Sequence, residues 1–148
     1  MALVGNVIAD AFSGNPASIN YALFASVFSW IALLYGLGAA FVESIAFPIL
    51  LLVLDGLAMI FTFTSGIVLA ARLHARSCSN HGYLISNGLT NGSGDMSKRC
   101  RELQASTAFM WFLWASYVGS FIMDLVQSRS SMGGRGGIRR GAPAMSQI

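Results

Sequence analysis

Charge is what this chain has least of. Asp, Glu, Lys and Arg make up 10% of its 148 residues, against about 25% in an average soluble domain. Between Ile19 and Ala71 the charged side chains are Glu43 and Asp55 alone, and from Gln104 to Met123 there are none. A helical bundle in water needs a charged face on each helix, so these runs exclude an ordinary soluble domain. Histidine and cysteine are equally sparse, with two of each, all inside one polar stretch. No acid pairs with them there, so the convergent nucleophile, base and orienting groups of an enzyme are not expected, nor is a bound cofactor. No basic residue precedes Ala9-Asp10-Ala11, which imitates a small-x-small cleavage site, and this argues against a secretory signal.

What is present is apolar length: 55% of the residues are hydrophobic. A hydrocarbon core of about 30 Å takes about 20 residues of helix, so residues 19–42 and 45–71 predict two spans joined by a hairpin at Glu43 and Pro48. Residues 104–123 predict a third. The expected fold is an all-α membrane protein, a transmembrane helical bundle with three full spans. Its membrane domain covers residues 1–127, with a polar loop at 72–103 and a disordered basic tail at 128–148. The leading MALVGNVIADAF is apolar but breaks at SGNPAS, too short to cross alone, and reads as the last turns of a helix that begins further upstream.

Inside the spans a few residues stand out. Ala32, Gly36 and Ala40 repeat every fourth position, a small-residue face on which another helix can pack closely. Trp30 and Tyr35 lie within the first span rather than at its borders and read as packing residues. Asp55 sits near the middle of the second span, where an acid costs about 2.5–3.5 kcal/mol and needs a partner. Thr62, seven residues on, lies close to the same face, and Thr64 adds a further intramembrane polar group. Asp55 is either a protonated structural acid between helices, the plainer reading, or the coupling residue of a small transporter or channel subunit.

The loop holds Cys78 and Cys100, and their pairing is the natural expectation. A bridge there stabilises by roughly 3–4 kcal/mol through loop closure and requires an extracytoplasmic, oxidising side. Asn91-Gly92-Ser93 is a glycosylation sequon that agrees with that side. The basic residues do not decide the orientation, because Arg72, Arg76, Lys98, Arg99 and Arg101 in the loop are nearly matched by Arg129, Arg135, Arg139 and Arg140 in the tail. An alternative makes His74, Cys78, His81 and Cys100 a zinc set, but the paired short spacings of such sites are missing. The tail sequence GGRGGIRRG has one short RGG-like tract without aromatic interleaving, so nucleic acid is not an expected partner. Its four arginines are better placed to meet anionic lipid headgroups, at about 1 kcal/mol each.

Read together, NYALF from Asn20, LLYG from Leu33, VLD ending at Asp55, FTFTSGIVLA from Phe61, HARSCSN around Cys78, GSG from Gly92, KRCRELQA around Cys100 and the terminal GAPAMSQI resemble the fungal non-classical export protein family, within the MARVEL superfamily. The resemblance implies a four-helix membrane bundle of which the N-terminal residues are the remnant of a first span. It implies both termini in the cytoplasm and the cysteine loop outside. It further implies a non-enzymatic, multi-pass plasma membrane protein associated with eisosomes, which organises sterol- and sphingolipid-rich domains and is linked to sphingolipid sensing and non-classical export. The expected partners are sterol, sphingolipid and anionic headgroups, with further copies of the chain or other membrane-domain proteins.

Overall fold

The computed structural model describes residues 1–12, 14–74 and 76–133. Its elements are α1 (Ala2–Ala9), α2 (Ala17–Phe41), a 3-10 turn (Glu43–Ile45), α3 (Pro48–Leu73), α4 (His81–Ser86) and α5 (Met96–Gly133). Among the described residues α2, α3 and the Met96–Val126 part of α5 are long and apolar enough to cross a membrane. They run up, down and up through one bundle, with α3 packed most extensively on α5 and next on α2.

Local chemistry sets the ends of these helices. Pro16 precedes α2 with extended backbone, and its carbonyl accepts from the Ile19 and Asn20 amides. Pro48 opens α3, where its missing N–H has no intrahelical partner to lose. The α3 helix closes at His74, which takes the left-handed conformation at φ 48°. Asp95 caps α5 by accepting from the Lys98 amide at 2.9 Å. The span bounds therefore differ modestly from those expected. The larger correction is at the far end: α5 continues to Gly133, so residues 128–133, expected at the start of a disordered tail, are helical. Residues 134–148 lie outside the described part.

Small side chains face inward and large ones outward. The buried stripe of α2 is Ser18, Ile19, Ala22, Ala25, Ser26, Ser29, Ala32 and Ala39, whereas Trp30, Ile31, Leu33, Leu34 and Leu37 are exposed. This inversion suits a lipid surround, in which close backbone approach rather than apolar burial holds helices together. Ser26 and Ser29 return their hydroxyls to the Ala22 and Ala25 carbonyls at 2.8 Å, so neither leaves a bare donor in the bundle. The larger aliphatic side chains gather instead at the loop end, where Val4, Val7, Ile19, Leu69, Leu73, Leu89, Leu103 and Met110 form one cluster. Helix α1 belongs to that cluster through Val4 and Val7. It is tied to α5 by the Asn6 amide, which donates to Glu102 at 2.6 Å, and by the Lys98–Asp10 ion pair at 3.1 Å.

Candidate functional site

Two polar regions lie at opposite ends of the bundle. The first surrounds Asp55. Because α3 begins at Pro48, this residue stands about 10 Å from the helix start rather than at mid-span. Thr62 does not serve it: the Thr62 hydroxyl, fully buried, donates to the Ala58 carbonyl at 2.7 Å of its own helix, and exposed Thr64 donates to Ile60 at 2.9 Å. The titratable groups near enough to influence Asp55 electrostatically come from α5. Asp124 is within electrostatic reach of Asp55, and so is Tyr117, whose hydroxyl donates to the Ser29 carbonyl of α2 at 2.7 Å. One polar seam thus joins all three spans. Asp124 escaped the sequence reading because the uncharged run stops one residue short of it, although its place seven residues beyond Tyr117 puts the two on one helix face.

The expected small-residue ladder is only partly a contact. Ala32 is buried against Ala58 and Tyr117, Gly36 is half-buried and Ala40 is exposed. Each four-residue step turns a helix about 40° past a full revolution, so the third member has rotated away from α3. The closest approaches lie on α3 instead, where a Cβ on Gly56 would meet the Phe121 ring at 3.2 Å and one on Gly66 the Trp111 ring at 3.3 Å. The FTFT segment divides its aromatics between neighbours. Phe61 packs edge-on against Phe28 of α2 at 5.1 Å, while Phe63 meets Trp111 and Trp114 of α5 at 5.8 and 5.4 Å. Trp30, expected to pack, points outward, and Tyr35 pins the hairpin by donating to the Ile45 carbonyl at 2.6 Å.

The second polar region is the loop. Cys78 and Cys100 are joined in a disulfide with a Cα–Cα distance of 5.7 Å, packed with Tyr83, Leu84 and Met96. The pairing takes both thiolates from the zinc alternative, His74 and His81 are exposed, and no group among the described residues is arranged to hold a metal ion. Tyr83 donates to the Leu73 carbonyl, Asn87 to Arg72 at 2.8 Å and Gln104 to Arg76 at 2.9 Å. Arg99 is 3% exposed and donates through Nε to the Leu89 carbonyl at 2.8 Å. Asn91 is exposed, and its amide nitrogen, the atom a glycan would take, donates to Ile85 at 3.0 Å while Ser93 is buried. In the tail, Arg129 is exposed on α5, and Arg135, Arg139 and Arg140 lie outside the described residues.

Comparison with known proteins extends this picture. The family described as MARVEL, a membrane-associating domain, matches residues 1–123. The chain is 37% identical to "Non-classical export protein 2" of Saccharomyces cerevisiae over 90% of its own length and 81% of that protein's. It is likewise 37% identical to "Non-classical export protein 102" of Candida albicans, over 100% of this chain and 88% of the relative. A match of 31% identity to "Non-classical export protein 2 homolog" of Schizosaccharomyces pombe covers 76% of this chain and 60% of that one. No solved structure matches the chain.

Proposed function

This chain belongs to the MARVEL membrane-associating family and to its fungal non-classical export proteins, and from that premise we propose that it is a non-enzymatic plasma membrane protein organising sterol- and sphingolipid-rich domains of the eisosome type. The observation that carries the reading is the inversion of its helix faces. Large apolar side chains such as Ile49, Phe112 and Val126 project outward from α3 and α5, while alanine, serine and glycine line the helix contacts. Such a body presents most of its surface to lipid and to neighbouring helices. Assistance to non-classical export is the role that the relatives' names suggest, and sphingolipid sensing belongs to the same proposal through the family resemblance alone. In the same reading the cysteine loop is extracellular and the tail is cytoplasmic, where its arginines meet anionic headgroups.

A second reading is favoured by one specific observation. Asp124, within electrostatic reach of Asp55, supplies the second intramembrane acid that a small transporter or channel subunit would use for a proton or cation. One variant separates the two. Asp55→Asn in a fluorescent fusion of the full chain is expected to stay in plasma membrane patches and to leave reconstituted conductance unchanged. Loss of a wild-type conductance in that variant, with patches intact, would instead establish the transporter reading.

A further inference from the structure

The loop end carries a groove that neither the helix packing nor the tail arginines account for. Its volume is about 640 Å³, within the range of about 300–1,000 Å³ typical of small-ligand sites. Arg72, His74 and Arg76 line it together with Tyr83, Asn87 and Leu89. No acidic side chain lines it among the described residues. Arg72 and Arg76 have no ion-pair partner there either, since the ion pairs formed run from Lys98 to Asp10 and Glu102.

Several backbone points behind the groove are held by side chains. The Arg72 carbonyl accepts from Asn87, that of Leu73 from Tyr83 and that of Arg76 from Gln104. The floor is fixed at Leu89 by buried Arg99. The guanidinium of Arg76 lies over the Tyr83 ring, 6.0 Å from its centroid, and the Cys78–Cys100 bridge closes the segment just beyond. With the backbone held at these points, closing on an anion costs the ordering of the arginine side chains and no further ordering of the loop there. Depth supplies the remaining constraint. Arg72 is the first charged residue after the uncharged stretch of α3 that follows Asp55, so the groove opens where a hydrocarbon core gives way to headgroups.

The geometry points to this groove as a binding site for a phosphate-bearing anion, clamped by Arg72 and Arg76 with His74 between them. Guanidinium forks match the paired oxygens of a phosphate, which favours this chemistry over a simple halide. The inference rests on the reading of the chain as a lipid-contacting organiser, because it names the chemistry that such contact would recognise.

The test uses the full chain in a neutral sugar detergent, titrated by native mass spectrometry with phosphatidylinositol and separately with inorganic phosphate. Binding is expected to weaken about 30-fold in the R72Q/R76Q variant, which is what about 1 kcal/mol per arginine converts to. The R72K/R76K variant should recover only part of it, because an ammonium keeps the charge but not the paired bonds of the fork, and resistance of the Cys78–Cys100 bridge to alkylation checks that both variants are folded. Lipid binding that millimolar phosphate does not displace assigns the site to a headgroup. Arginine-dependent binding of inorganic phosphate alone assigns it to a soluble anion. Equal binding by wild type and R72Q/R76Q overturns the site. Patch localisation of R72Q/R76Q in cells reports separately on the organiser reading, since diffuse wild-type fluorescence would end that reading without touching the groove.

Discussion

The two ends of this bundle are built by different rules. At the loop end, long aliphatic side chains, a disulfide, an ion pair and side-chain hydrogen bonds to backbone carbonyls lock α1, α3, α4 and α5 together. At the tail end the contacts are alanine against tyrosine, glycine against an aromatic edge, and a seam of Ser29, Tyr117, Asp55 and Asp124. Solvent explains the contrast. Loop backbone must find partners from side chains because no helix supplies them, whereas each span satisfies its own backbone and needs only shape to meet its neighbour. Rigidity is therefore concentrated where water and headgroups begin.

The sharpest way to break this contrast is to open the bridge. The Cys78→Ser, Cys100→Ser double variant should lose about 3–4 kcal/mol of stability, and thermal unfolding in micelles with and without thiol reductant checks it. A wild-type midpoint unmoved by reductant would mean that the loop end does not depend on the bridge. Arg99→Met should come next. It removes a buried charged donor and leaves the Leu89 carbonyl unpaired, at a loss of about 1.5–3 kcal/mol, read as earlier hydrogen exchange of residues 88–92 while α2 and α3 stay protected. The smallest effect is expected at the tail end, where Tyr117→Phe deletes one interhelical bond to Ser29 at a cost of about 0.6 kcal/mol. If its unfolding midpoint fell as far as that of Arg99→Met, the two ends would not be ruled by different chemistry.

Much of the fold was legible because uncharged length is an unambiguous signal. Three spans, the hairpin at Pro48 and the polar loop follow from where Glu43, Asp55, Arg72 and Lys98 fall. Helix rotation was less legible, since the ladder through Ala32, Gly36 and Ala40 names small residues without saying which way each one faces. Its outer member is exposed, and the tight contacts sit at Gly56 and Gly66, whose partners Phe121 and Trp111 are more than 40 residues away in sequence. The end of α5 was obscured by composition: Ser128 to Gly133 is polar and glycine-containing, yet it extends an established helix, and adding a turn to an existing helix is far easier than starting one. Asp124 was missed for a related reason, because a hydropathy window treats a charged residue as the edge of a span even when the helix carries it on.

The unbroken length of α5 gives the bundle a mechanical property. Its 38 residues make a rod of about 57 Å, longer than a bilayer of about 40–45 Å with its headgroups. Cys100 welds one end to the loop, and Arg129 rides near the other. The bridged loop and the seam at Tyr117 and Asp124 therefore sit on one continuous helix, which ties the position of one to that of the other.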